Sequence, residues 1–235
     1  MAYSSVQEKM LFDAQAVEYD LWYQTPEGRY ADTLEKELFI RLIQPQIGQS
    51  VLDIGCGTGH NLAFFKELGL KAAGIDVSKP MLDIAAKRLG TDVELYWGQA
   101  EELPFDNGSF DISTLITVLE FALEPTKVLK EAARVTRSQI YLGILNKTSL
   151  LAINRRIKGR FRDSIYNQAK FYSIWEIGAM VKRAIGKAPL DWRSGLFSPL
   201  SWHKYIHCLD RLLPSANNPF GAFLGVKLDV RRIVR

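Results

Sequence analysis

The feature that most restricts the fold of this chain is an apolar run that stops on a cluster of glycines. Ser50-Val-Leu-Asp-Ile54 leads into Gly55-Cys-Gly-Thr-Gly59, and a helix-forming stretch begins at His60. A short apolar run bounded by glycine reads as a strand buried on both faces, and such strands belong to parallel sheets covered by helices. Glycines in the turn permit positive φ and let backbone N–H groups approach a ligand at the start of the next helix. This segment predicts an α/β doubly wound, mostly parallel sheet, and also the edge of that sheet where a ligand would sit.

The following residues keep the alternation of strand and crossover helix. His60 to Leu68 reads as a helix closed by Gly69, and Lys71 to Val77 as a second strand. Ser78 suits an N-cap, with Pro80 in the first turn of a helix running to Leu89. Val93 to Trp97 is a third strand, Asn107-Gly108 a turn and Phe110 to Val118 a fourth strand. Pro125 to Val135 reads as a helix and Ile140 to Leu145 as a fifth strand. Beyond Asn146 the sequence predicts helices over Ser173 to Ile185 and Ser201 to Leu213, then a strand over Gly221 to Val230. Before the first strand, Phe12 to Tyr19 and Tyr30 to Leu42 look helical, flanking an aromatic loop from Trp22 to Tyr30. The expected organisation is one domain in three parts. Residues 1–49 supply N-terminal helices and an aromatic lid, 50–145 the cofactor-binding core, and 146–235 a basic helical insertion with C-terminal strands completing the sheet.

Two ligands compete for the glycine loop: a dinucleotide and S-adenosylmethionine. The dinucleotide fingerprint needs glycine where this chain has His60, and its pyrophosphate would be repelled by Asp53. S-adenosylmethionine has no phosphate and carries a sulfonium and an ammonium, which an acid at Asp53 suits. Asp76 ends the second strand 19 residues beyond Gly57, placed to accept from vicinal ribose hydroxyls of either ligand. The charge argument favours the methyl donor.

Four ordered motifs carry a resemblance: Val51-Leu-Asp-Ile-Gly-Cys-Gly-Thr-Gly59, Gly74-Ile-Asp-Val-Ser78, Gly98-Gln-Ala-Glu-Glu-Leu-Pro-Phe105, and Phe110-Asp111 with the strand after it. Over residues 45–145 the chain resembles the class I S-adenosylmethionine-dependent methyltransferases, in particular the branch of ubiquinone/menaquinone-type small-molecule enzymes. The resemblance implies a Rossmann-like fold and a transferase that binds S-adenosylmethionine and releases S-adenosylhomocysteine. It implies that Asp53 and the loop residues Gly55, Cys56, Gly57 and Gly59 border the methionine moiety. Asp76 would take the ribose, with Val77 and Met81 near the adenine, and Gln99, Ala100 and Glu101 along its edge. The family often has Asp at the Gln99 position; the Gln amide oxygen can accept the same bond. Ile116 and Thr117 would border the amino-acid end and the acceptor. Tyr19 and Tyr23, with Trp22 and Tyr30, are a candidate lid whose ring faces would favour a sulfonium; the competing reading is that they pack the N-terminal helices on the sheet. Glu120 stands where the branch commonly has histidine, and is the candidate general base; the competing reading is a loop carboxylate facing solvent or capping a helix.

Composition narrows the remainder. Two cysteines, Cys56 and Cys208, exclude a disulfide scaffold and a four-cysteine zinc site and suit a cytoplasmic protein. Cys56 itself reads as packing. His203 and His207 lie four apart with no third ligand, so no metal is expected. Residues 1–145 hold 13 Lys/Arg against 21 Asp/Glu, whereas 146–235 hold 17 against 5. Arg155-Arg-Ile-Lys-Gly-Arg-Phe-Arg162 places five basic residues in eight beside an apolar stripe, either a helix packed on the core with a solvated basic face or a contact for an anionic or membrane surface. The stretch after the fourth strand lacks the Asn/Asp-Pro-Pro of amino-nitrogen methyltransferases and the Pro-Cys of RNA cytosine enzymes, which argues against nucleic acid or protein as acceptor. A small-molecule or lipid-like acceptor is the expectation; the alternative is a binding protein that keeps the pocket without transferring a methyl group.

Overall fold

Val51, Leu52 and Ile54 have no solvent exposure, and the sheet is built outward from them. The computed structural model describes residues 13, 16, 19–149, 169–197 and 218–231. Within these, the strands are β1 (Ser50–Ile54), β2 (Lys71–Asp76), β3 (Glu94–Trp97), β4 (Phe110–Ile116), β5 (Thr136–Leu145), β6 (Leu190–Gly195) and β7 (Phe223–Asp229). They form one seven-stranded sheet in the order β3-β2-β1-β4-β5-β7-β6. β1 to β5 pair in parallel, and β7 is antiparallel to both β5 and β6. The order reverses direction between β1 and β4, and ligands of open α/β sheets bind outside the strand ends at such a switch point.

Helices cover both faces. On one side α4 (Pro125–Val135) and α5 (Ile174–Ile185) bury Val128, Leu129, Ile177 and Val181 against Leu52, Ile54, Leu142 and Ile144. On the other side α1 (Pro26–Ile43), α2 (His60–Glu67) and α3 (Lys79–Leu89) bury Phe39, Leu42, Leu62, Phe65 and Leu89 against Val51 and Tyr141. Alternate residues of β5 thus serve opposite cores, Ile140 and Leu142 one and Tyr141 the other, as the period of two requires. Each such buried Leu, Ile or Phe contributes about 1.5–3 kcal/mol. The cap expected at Ser78 is present, and a further one stands at Ser173. Ser78 accepts from the N–H of Met81, and Ser173 and Glu176 form a reciprocal capping box.

Several boundaries depart from expectation. The aromatic loop is shorter than predicted, because Thr25 accepts from the N–H of Gly28 and α1 starts at Pro26, absorbing Tyr30. β4 stops at Ile116 rather than Val118, because Thr117 adopts φ 54 and turns the chain. β5 begins at Thr136, four residues earlier than expected, directly from α4. β6 was not foreseen: Leu190-Asp-Trp-Arg-Ser-Gly195 has few apolar residues, and among the described residues one of its long edges is unpaired. The basic run 155–162, the predicted helix 201–213, His203, His207 and Cys208 lie outside the described residues. Among the described residues no helix is long and apolar enough to cross a membrane.

One glycine of the sheet is fixed by close approach. A Cβ on Gly74 of β2 would lie 2.5 Å from Leu62 Cδ1 and 2.8 Å from Cys56 Sγ. Cys56 is buried and its thiol is pushed up, chiefly by burial, so it acts as a small packing group. Gly74→Ala therefore overpacks the joint between β2, α2 and the glycine loop. It is expected to cost about 1–3 kcal/mol, seen as a lower urea midpoint at unchanged slope. A midpoint equal to the parent's would refute this account of the contact.

Candidate active site

The glycine loop joins β1 to α2, and Gly55, Gly57 and Gly59 all have positive φ. At Gly57 this conformation turns the amide toward β2, where its N–H donates to Asp76 Oδ2 at 2.8 Å. The other oxygen, Oδ1, accepts from the N–H of Ser78, also at 2.8 Å. One carboxylate thus ties the loop to the start of α3. Burial raises the Asp76 carboxyl pKa, while the backbone N–H groups of Ser78, Gly57 and Val77 act against that shift. A carboxylate has about four acceptor sites, so two ribose hydroxyls can still be received there.

Asp53 sits one strand inward, opposite Gly74 on β2 and Thr114 on β4. Its side chain is 1% exposed, and Oδ1 accepts from Thr114 Oγ1 at 2.6 Å. Oδ2 is buried with no hydrogen-bond partner among the described residues. Burial pushes this carboxyl up to about 7, with Thr114 opposing and the charge of Asp76 assisting. A buried, half-satisfied carboxylate is costly alone, and a cation nearby would offset that cost.

The N-terminal segment crosses this loop. Asp13 accepts from Ser78 Oγ at 2.6 Å, and Asp20 accepts from Thr58 Oγ1 at 3.0 Å. Arg88 of α3 pairs with Asp20 and donates to the Thr58 carbonyl at 2.6 Å. Tyr19 and Tyr23 share a hydroxyl contact of 3.1 Å. The Tyr23 ring stacks on His60 at 4.0 Å, and His60 Nε2 in turn lies 3.0 Å from Asp32. The sequence singled out the tyrosines but not Asp13, Asp20, Asp32, Thr58 or Arg88. Their partners lie up to 68 residues away, and nothing in local pattern announces such pairs.

The other expected residues gather along the same edge. Met81 is buried under the loop, its sulfur 3.6 Å from the position of a Cβ on Gly57. The carbonyl of Val77 accepts from Trp97 Nε1 at 2.9 Å, and Lys79 lies over the Trp97 ring at 4.6 Å; Trp97 was not among the expected site residues. Gln99 is exposed, Ala100 and Glu101 are half-buried, and the Gln99 carbonyl closes a turn with the N–H of Glu102. Ile116 ends β4 and Thr117 follows it, its N–H donating to the Gly143 carbonyl at 2.8 Å. Glu120 is 2% exposed, which excludes the solvent-facing reading. Its Oε1 accepts from the Leu145 N–H at 2.6 Å, while Oε2 is buried with no hydrogen-bond partner among the described residues. Burial pushes Glu120 up to about 7 against that bond.

An open glycine turn, an acid at the end of β2 and an unmatched buried carboxylate fit an adenosine bearing a cationic amino-acid end. Comparison with known proteins agrees. Residues 52–143 match the family described as a methyltransferase domain. An uncharacterized protein of Methanocaldococcus jannaschii is 36% identical over 174 residues, covering 73% of this chain and 78% of that one. The demethylmenaquinone methyltransferase of Thermotoga maritima is 35% identical over 67% of this chain and 66% of its own length. Among solved structures, a Thermotoga maritima S-adenosylmethionine-dependent methyltransferase, described as a possible histamine N-methyltransferase, superposes with a TM-score of 0.76. It shares 25% identity, with 95% of this chain and 99% of that one covered. The chain belongs to the class I S-adenosylmethionine-dependent methyltransferases.

Proposed function

We propose that this enzyme methylates a small-molecule acceptor at the C-terminal edge of its sheet. In this reading the donor lies between the glycine loop and Asp76, and the acceptor approaches past Ile116, Thr117 and Glu120. The observation that carries it is the buried, unpartnered Oδ2 of Asp53 beneath the loop, an anionic position that a cationic donor completes. Bound S-adenosylmethionine supplies a methyl group already activated by its sulfonium charge. What remains for the protein is to orient the partners, exclude water and accept a proton. Asp53 offsets the cationic end and Asp76 receives the ribose hydroxyls. Val77 and Met81 border the adenine, whose edge meets Gln99, Ala100 and Glu101. The segment carrying Tyr19 and Tyr23 closes over the loop as a lid, and the basic run 155–162 attracts an anionic surface or acceptor. Glu120, with one oxygen committed to the Leu145 N–H and a carboxyl titrating at about 7, is suited to take a proton from an acceptor hydroxyl or amine near neutral pH. The demethylmenaquinone methyltransferases among the relatives favour a small acceptor over a macromolecule.

Two measurements test this reading. Calorimetric titration should give binding of S-adenosylmethionine and S-adenosylhomocysteine but not NAD. Asp53→Asn should lose more than about tenfold in S-adenosylmethionine affinity while melting cooperatively. Near-parent affinity in that variant, or binding of NAD alone, would sink the donor assignment.

Glu120 also makes stability depend on pH. Its carboxyl titrates at about 7 in the folded protein rather than at 4.5, so the stability it contributes is complete below about pH 4.5 and is lost as pH rises through 7. The melting temperature of the parent should fall from pH 5 to pH 8 more steeply than that of Glu120→Gln. With labelled donor and a metabolite extract, the variant should transfer methyl groups about a hundredfold or more slowly if Glu120 is the base. Parallel melting profiles would show that Glu120 is ionised throughout, and an unimpaired transfer rate would remove it from the chemistry.

A further inference from the structure

Among the described residues, the segment ahead of α1 reaches the glycine loop through side chains rather than backbone. Residues 19–22 are helical, and residues 23–25 form a turn that leads into Pro26 of α1. The backbone hydrogen bonds of that turn stay local, with Gln24 donating to Leu21, Thr25 to Trp22 and Arg29 to Thr25. Thr25 Oγ1 also donates to the Trp22 carbonyl at 2.7 Å, which stiffens the turn where it meets α1. Trp22 packs on the cluster of Ala31, Leu38, Leu196 and Phe223, while Leu21 beside it is exposed. One guanidinium then joins this segment to the loop. Arg88, in the last turn of α3, donates to the Thr58 carbonyl at 2.6 Å and to Thr58 Oγ1 at 3.1 Å, and pairs with Asp20. Thr58 Oγ1 donates in turn to the same Asp20 oxygen at 3.0 Å. The contacts therefore form a closed set of three, and Thr58 stands between Gly57 and Gly59 of the loop itself. The Arg88 and Asp20 side chains are 26% and 19% exposed, so water and salt screen them less than a surface pair.

A segment held by side chains can leave without breaking any strand or helix ladder, so its local opening is set by those few contacts. We propose that Arg88 is a positioning residue that latches the segment carrying Tyr19 and Tyr23 over the glycine loop, and that parting of the Arg88, Asp20 and Thr58 contacts is the step that admits and releases the donor. The proposal rests on the reading of the loop as the donor site and of that segment as its lid, and deepens it. Arg88 acts through Asp20 and Thr58, and touches neither donor nor acceptor. Such a latch has a kinetic signature. Where a site is open only a fraction of the time, entry and escape are both slowed by that fraction. Releasing the latch speeds both. Losing a donor contact, or loosening the fold as a whole, speeds escape alone.

Arg88→Met, Asp20→Asn and the two together are the variants, and S-adenosylhomocysteine is the probe, its on- and off-rates read by surface plasmon resonance. Each single variant should raise both rates about threefold or more. The double variant should do no more than Arg88→Met, because one latch is broken only once. In the free protein, amides of residues 19–25 should exchange hydrogen about tenfold faster in Arg88→Met, while those of β1 keep the parent rate. An unchanged on-rate, additive effects in the double variant, or unchanged exchange over residues 19–25 would overturn the proposal. Should Arg88→Met fail to melt cooperatively, the nearly isosteric Asp20→Asn decides by the same readings. If S-adenosylhomocysteine does not bind the parent, the donor assignment falls by itself. Exchange in the free protein then still decides whether Arg88 holds the segment down.

Discussion

The Asp76 carboxylate holds the site together. Its two oxygens join three pieces of chain that would otherwise be independent: the end of β2, the glycine loop after β1 and the first turn of α3. The loop keeps an open, positive-φ shape because the Gly57 N–H, which no helix or strand could satisfy there, finds an acceptor across the strand gap. Everything placed by that loop inherits its position from this carboxylate. That includes the start of α2, the stacking of His60 on Tyr23 and the packing of Met81 beneath the turn.

Around this anchor the electrostatics are one-sided. Asp13, Asp20, Asp53 and Asp76 surround the loop and α3, and the basic group bonded among them is Arg88 at the outer edge. Burial raises both inner carboxyls, opposed by Thr114 at Asp53 and by backbone N–H groups at Asp76. An acid at Asp53 opposes a phosphate and suits a cation.

How much of this was legible in the sequence depends on how local each signal is. Strands β1 to β5, the cap at Ser78 and the glycine loop were readable because each is set within a few residues. The early end of β4 was not, since Thr117 is not a residue type that announces positive φ. β6 escaped because a strand with an unpaired edge carries polar residues and lacks the continuous apolar signature of the interior strands. Most of the expected site residues gather along one sheet edge, yet the ties that hold the N-terminal segment there, Asp13 to Ser78 and Asp20 to Arg88, are long-range and had no sequence signature. Burial of Glu120 and Tyr141 is likewise a tertiary fact. A glutamate after a strand looks solvated until its neighbours are known.

The place of β7 has a consequence for how the chain reaches this state. Among the described residues the last strand in sequence lies inside the sheet, paired with β5 on one side and β6 on the other. During synthesis, residues 136–145 leave the ribosome long before residues 223–229. For that interval the apolar edge of β5 lacks its neighbour, open to pairing with any other extended chain. Closing it requires contacts across some 80 residues of intervening sequence, read from the β5–β7 register, so sheet completion is a late, non-local event. Until residues 223–229 are made, β5 is therefore an edge of the sheet formed by β1 to β5.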